Sequence, residues 1–114
     1  MTYMSATFRL PDGKIVGVFA HYEDVLECIR RQSIDHIEEI VKKFPNSDYS
    51  VTDGYYLWVF DCIVVDFTKK RMLLTAEAPF GVQYLKEQFP DYEVTEIDPV
   101  EWLEDYVNKF FGGE

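Results

Sequence analysis

The sequence contains few cysteines and histidines and none of the short motifs that commonly carry chemistry. Cys28 and Cys62 are the only cysteines and form no CxxC pair, which excludes a disulfide framework and a zinc site built from cysteine pairs. His21 and His36 are the only histidines. The glycine-rich motifs whose backbone N–H groups hold phosphates are also absent. We therefore predict no metal, no cofactor and no catalytic residue, and a protein that is not an enzyme.

Long apolar runs and positive charge are also scarce. No apolar run approaches the roughly 20 residues of a transmembrane helix, and residues 1–10 contain neither the basic leader nor the apolar segment of a signal peptide. The sequence thus predicts a cytoplasmic protein without membrane contact, whose cysteines stay reduced. The 21 acidic residues outnumber the 11 basic ones, for a net charge of −10. The one basic cluster, at 69–71, is too short to favour direct binding of nucleic acid.

Apolar residues are plentiful, and they follow a helical period in the first half of the chain. With 114 residues and 47% apolar content, the chain predicts a single domain, 1–114, with one core. An apolar face at 100° per residue predicts one long helix from Tyr22 to Phe44, which Pro45 ends. The residues expected to pack this helix against a sheet are Ile29, Ile37, Ile40 and Phe44.

Turn signals between alternating segments predict the strands. Hairpins are predicted at Pro11-Asp12-Gly13, at Asp53-Gly54 and at a turn over residues 68–70. A short helix that ends before Pro90, a strand over residues 92–97 and a terminal helix that begins after Asp98 follow. The predicted fold class is therefore α+β. It consists of an antiparallel sheet of hairpins and a meander, packed against one long helix, with a short helix and an acidic C-terminal helix.

Two carboxylates, Asp61 and Asp66, interrupt the aromatic and apolar run over residues 55–67. Side chains alternate along a strand, so two residues five positions apart point to opposite faces and lie roughly 16 Å apart. The acid/base pairs of glycoside hydrolases are only about 5–9.5 Å apart, and a bulge near Asp61 alters the face but not the distance. We therefore predict structural roles for both residues, with Asp66 paired to Lys69 or Lys70 beside the turn.

Negative charge is concentrated at the C-terminal end. Residues 91–114 hold eight acids and one base, whereas residues 1–90 hold 13 acids and ten bases. Helix capping accounts for Asp98 and Glu101, but it does not account for the other acids, whose mutual repulsion costs stability. A concentrated negative field attracts basic partners. We predict that a basic protein partner binds here, through Asp91, Glu93, Glu96, Asp98, Glu101, Glu104 and Asp105.

The segment "DGYYLWVFDCIVVDFTKKRMLL", followed by an acidic C-terminal helix, resembles the immunity proteins that neutralise bacterial polymorphic toxins and the toxins of contact-dependent inhibition. The resemblance implies a small binding protein that blocks a basic toxin such as a nuclease. Two alternatives stay open. One is a phage-type inhibitor that imitates the charge of nucleic acid. The other is a ligand-binding or enzymatic domain with a cleft at the aromatic meander, where Asp61, His36 or Cys62 line a deep polar pocket.

Overall fold

The computed structural model describes residues 2–47, 49–53, 61–76 and 78–97, which form one six-stranded sheet and three helices. In chain order the elements are β1 (Tyr3–Arg9), β2 (Ile15–His21), α1 (Tyr22–Arg31), α2 (Asp35–Lys43), β3 (Ser50–Asp53), β4 (Asp61–Asp66), β5 (Arg71–Leu74), α3 (Val82–Gln88) and β6 (Glu93–Glu96). The strands are arranged in the order β3-β2-β1-β4-β5-β6. The predicted mixed α and β content is confirmed. The predicted turn at Gly54 and the terminal helix lie outside the described residues.

The sheet is mixed, so the prediction of an antiparallel sheet is wrong in two places. β1 pairs with β4 and β5 pairs with β6 in parallel, whereas the other three neighbouring pairs are antiparallel. The hairpins β1–β2 and β4–β5 are confirmed, and their turns contain Gly13 with φ 90° and Lys70 with φ 55°. Parallel neighbours need crossover connections. Here α3 lies between β5 and β6 in the chain, and α1, α2 and β3 lie between β2 and β4.

The predicted long helix is two helices, because the chain breaks at Gln32. This residue adopts the left-handed conformation with φ 53°, and its N–H bonds the Ile29 carbonyl at 3.2 Å while the Ser33 N–H bonds the Cys28 carbonyl at 3.1 Å. These bonds satisfy carbonyls that a continuing helix would have used, as in common C-caps. The Ser33 hydroxyl then accepts the Asp35 N–H at 3.1 Å, which supports the first turn of α2.

The break changes which apolar residues reach the sheet. Ile29 and Ile37 are buried as predicted, and Ile40 is half-buried. The prediction for Phe44 is wrong: it follows α2 as its C-cap residue and is 62% exposed. A helical wheel drawn from Tyr22 to Phe44 assumes one continuous helix, whereas the chain turns at Gln32 and α2 ends at Lys43.

The core lies between the helices and one face of the sheet. α1 packs on β1 and β2, α2 on β3, and α3 on β6. The central strand β4 is buried on both faces, because every residue from Cys62 to Val65 is buried. A strand covered on both sides has no need for alternation. This burial explains the apolar run "CIVV" that precedes Asp66.

Candidate functional site

The acids predicted to bind a partner begin at β6, the outermost strand on its side of the sheet among the described residues. Glu93 and Glu96 lie in this strand and Asp91 precedes it, and all three are exposed. Side chains alternate along a strand, so Glu93 and Glu96 project toward opposite faces of the sheet at the same edge. The other four predicted residues, Asp98, Glu101, Glu104 and Asp105, lie outside the described residues.

The two ends of β6 differ in their electrostatic surroundings. The Asp91 carboxylate lies 3.6 Å from the Lys70 ammonium, and Glu93 is in register with Arg71. The parallel pairing of β5 with β6 thus brings the basic turn beside acids that lie 21 and 22 residues later in the chain. Glu96 is in register with Leu74 instead, and within the described part of the chain no cation forms an ion pair with it. The uncompensated negative charge therefore lies at the Glu96 end.

Tyr92 lies at the Asp91 end of this edge, on the core side. The Lys70 ammonium lies 5.1 Å from the centre of its ring, within cation–π range. Burial, helped by the nearby carboxylates of Asp91 and Asp66, which repel the phenolate, raises the pKa of Tyr92 to about 12. Tyr92 therefore stays a neutral hydroxyl at physiological pH, and it adds no charge to the edge.

Asp66 is a fully buried carboxylate at the end of β4. Its Oδ1 accepts the N–H groups of Thr68 at 2.9 Å and Lys69 at 3.2 Å, and its Oδ2 lies 3.7 Å from the Arg9 guanidinium and 3.8 Å from that of Arg71. The prediction of a side-chain pair with Lys69 or Lys70 is therefore replaced by Arg9 and Arg71, which flank Asp66 on the neighbouring strands. Lys69 contributes through its backbone.

Four charged residues thus form one row across the sheet, which we call the charged row: Arg9, Asp66, Arg71 and Glu93. The signs alternate from β1 through β4 and β5 to β6. Opposite charges directly across neighbouring strands are favourable pairs. The sequence contains no local signal of this row, because its members are brought together only by the strand order. The row accounts for Asp66 as a structural residue.

The geometry of Asp61 agrees with the prediction that it forms no acid/base pair with Asp66. The pairing of β1 with β4 shifts register between Ser5 and Ala6, so that Asp61 aligns with Ser5 and Asp66 with Arg9. The strand pairing is therefore irregular near Asp61. The two aspartates still align with residues four positions apart on β1, which corresponds to roughly 13 Å along a strand. This separation exceeds that of a hydrolytic carboxylate pair.

A second candidate site is a groove of about 420 Å³ along α1, lined in part by Tyr22, Arg30, His36 and Tyr84. The His36 Nε2 lies 2.8 Å from the Asp24 Oδ1, so that this pair joins α2 to α1. An imidazole held by a carboxylate also occurs in catalytic triads. Among the described residues that line this groove, none is a serine, threonine or cysteine that the pair could activate as a nucleophile.

Of the three residues of the predicted cleft, His36 lines this groove, and Cys62 is not among its described lining residues. The side chain of Asp61 lies outside the described part of the structure. His21 has a local role, because its Nδ1 accepts the Glu23 N–H at 3.4 Å at the start of α1. Cys62 lies buried in β4. The described surroundings of these residues therefore favour structural roles.

Cys28 lies in α1 and is buried in the core. Burial raises the pKa of its thiol to about 12. A thiol reacts as its thiolate, so we expect iodoacetamide at about pH 8 to leave Cys28 unmodified in the folded protein. Peptide mass spectrometry measures this, with the urea-unfolded protein as the control in which both cysteines react. Equal alkylation of Cys28 in both samples would show an accessible thiol.

Comparison with known protein families, with curated proteins and with solved structures finds no match for this chain. Among the described residues, no group of three His, Cys, Asp or Glu side chains is placed to hold a metal ion. No helix in the described ranges is long and apolar enough to span a membrane. The fold and the edge define the chain as a small α+β protein with a mixed six-stranded sheet and an acidic outer strand.

Proposed function

We propose that this chain is a cytoplasmic binding protein that docks a basic protein partner through its acidic C-terminal surface. The observation that supports this proposal is β6, the outermost strand among the described residues, where Glu93 and Glu96 are both exposed and Glu96 has no cation opposite it on β5. Edge strands present side chains and backbone at the rim of a sheet, where peptides and proteins often bind. Acids at such a rim also prevent pairing with other sheets, so they favour a partner of opposite charge.

The partner class follows from the charge and from the resemblance to immunity proteins. With a net charge of −10, the chain attracts basic surfaces and repels nucleic acid. A basic toxin domain, such as a bacterial nuclease, presents the complementary surface. Binding over its nucleic-acid site would both recognise and inhibit it. A nucleic-acid-mimicking inhibitor would use the same acids against a different basic protein, and the identity of the captured partner distinguishes the two functions.

Reversing Glu104 and Asp105 to Lys should slow association with this partner by at least about tenfold and remove most of its salt dependence. Complementary charges mainly speed the encounter of two proteins, and salt screens them. The partner is the protein captured by the tagged chain from its native host and then purified. Stopped-flow association at about 50 and about 300 mM salt measures the effect.

The matched control is the reversal of Glu38 and Glu39 to Lys on α2. These two residues are exposed and belong to another element, and their reversal changes the net charge by the same amount. We expect this control to keep most of the on-rate, and circular dichroism checks that both variants fold. Unchanged rates for the Glu104 and Asp105 variant at both salt concentrations would place the interface on another surface. Equal slowing of both variants would mean that only net charge matters.

A further inference from the structure

A pocket of about 360 Å³ lies beside the uncompensated end of the acidic edge. It is formed where the chain leaves β5 and turns toward α3, and its apolar walls include Leu74, Pro79, Phe80 and Val82. The parallel pairing of β5 with β6 places Glu96 in register with Leu74, so this carboxylate stands at the pocket as well. A pocket with several apolar side chains and, among the described residues, the Glu96 carboxylate thus opens at the edge that the proposed function assigns to a basic partner.

The pocket combines three features that together recognise a long cationic side chain. Its apolar walls suit an aliphatic stem, because lysine and arginine bury their stems along apolar surface and keep the charged head near water. Phe80 supplies an aromatic face, on which a guanidinium stacks more favourably than an ammonium. The exposed Glu96 carboxylate is not paired within the described part of the chain, and it can accept two parallel hydrogen bonds from a guanidinium.

The aromatic wall is held in place before any ligand binds. The Phe80 ring stacks on Tyr84 with 6.0 Å between the ring centres, and it lies 6.3 Å from Tyr22 in a tilted arrangement. Tyr22 belongs to α1 and Tyr84 to α3, so two elements fix the ring. A side chain that is already ordered loses less entropy on binding. The volume also falls within the range of about 300–1,000 Å³ that is usual for small-ligand sites.

We propose that this pocket anchors an arginine side chain of the basic partner. The stem lies against Pro79 and Val82, and the guanidinium stacks near Phe80 and pairs with Glu96. This inference rests on the proposed function for the identity of the partner, but the pocket itself can be tested without that partner. An arginine is favoured over a lysine because only the planar guanidinium uses both the ring and the carboxylate.

The probe is N-acetyl-arginine amide, titrated into the full ¹⁵N-labelled chain and followed by two-dimensional NMR. A dissociation constant on the order of 1 mM is expected for a ligand of this size. Shifts should be largest for the backbone amides of residues 74–82 and of Glu96. The isosteric but uncharged N-acetyl-citrulline amide should bind at least about fivefold more weakly, because it cannot form the charge-assisted pair with Glu96. N-acetyl-norleucine amide tests for a purely apolar occupant.

Glu96→Gln should weaken binding of the arginine probe by about fivefold or more. The matched control is Glu93→Gln, which makes the same change on the same strand but toward the other face, and it should leave binding unchanged. Equal binding of the citrulline or norleucine probe, shifts that map elsewhere, or no effect of Glu96→Gln would overturn the proposed pocket. None of these outcomes alters the salt-dependent association that tests the acidic surface. The arginine titration therefore tests the proposed pocket, and the association kinetics test the proposed function, independently of each other.

Discussion

Asp66→Ala is expected to destabilise the protein by about 3–5 kcal/mol, the usual cost of removing one partner from a buried ion pair. The carboxylate is fully buried, whereas the side chains of Arg9 and Arg71 are 20% and 30% exposed. The substitution removes the central negative charge of the charged row, so both guanidinium groups lose their shared partner. It also leaves the N–H groups of Thr68 and Lys69 without their acceptor at the turn. Partial hydration of the two arginines favours the lower end of the range.

Urea unfolding followed by tryptophan fluorescence measures this loss. Asp66→Asn should lie between the parent and the alanine variant, because an amide oxygen can still accept the two N–H groups but carries no charge. Asp12→Ala is the matched control, since the Asp12 Oδ1 likewise accepts a turn N–H, that of Lys14 at 2.9 Å, but at an exposed site. The Asp66 variants should lose far more stability than this control. A loss for Asp66→Ala no larger than that for Asp12→Ala would show that the charged row contributes no net stability.

Sequence reasoning predicted well those elements whose signals are local. The β1–β2 hairpin follows from Pro11-Asp12-Gly13, and the β4–β5 hairpin from the polar turn at residues 68–70. The short helix before Pro90 and the strand after it are likewise present as α3 and β6. Each of these elements is determined by residues a few positions apart, so the local pattern contained the necessary information.

Such local patterns do not predict which distant strands pair. Nothing local in β1 or β4 indicates that they pair in parallel, since their partners are separated by more than 50 residues of chain. The charged row depends on this pairing, and for that reason Arg9 was not recognised as a partner of Asp66. The contact of the basic turn with Asp91 likewise depends on strand order, because the pairing of β5 with β6 brings Lys70 to within 3.6 Å of Asp91. Charge counts along a sequence do not show such compensation.

The break at Gln32 shows a different limit. Left-handed residues are most often glycine or asparagine, so a glutamine with φ 53° gives no warning in the sequence. The apolar period also continues across the turn, because Ile34 and Ile37 are again buried. A periodic pattern therefore predicted a helix correctly on each side of the break but not the break itself. The pattern fails at its last position, Phe44, which follows the end of α2 and is exposed.

The losses of stability caused by Ile37→Ala and by Phe44→Ala, measured side by side, test how these two residues are placed. Ile37 is fully buried in the core, so its truncation should cost about 2–5 kcal/mol through lost burial and the cavity that remains. Phe44 is 62% exposed, so the same substitution should cost much less, although phenylalanine is the larger residue. Urea titrations of the two variants, each compared with the parent protein, measure both losses of unfolding free energy. A loss under about 0.5 kcal/mol for Ile37→Ala would mean that the inner face of α2 is not in the core. A loss for Phe44→Ala equal to that for Ile37→Ala would show instead that Phe44 packs against the sheet, as the prediction of a single long helix requires.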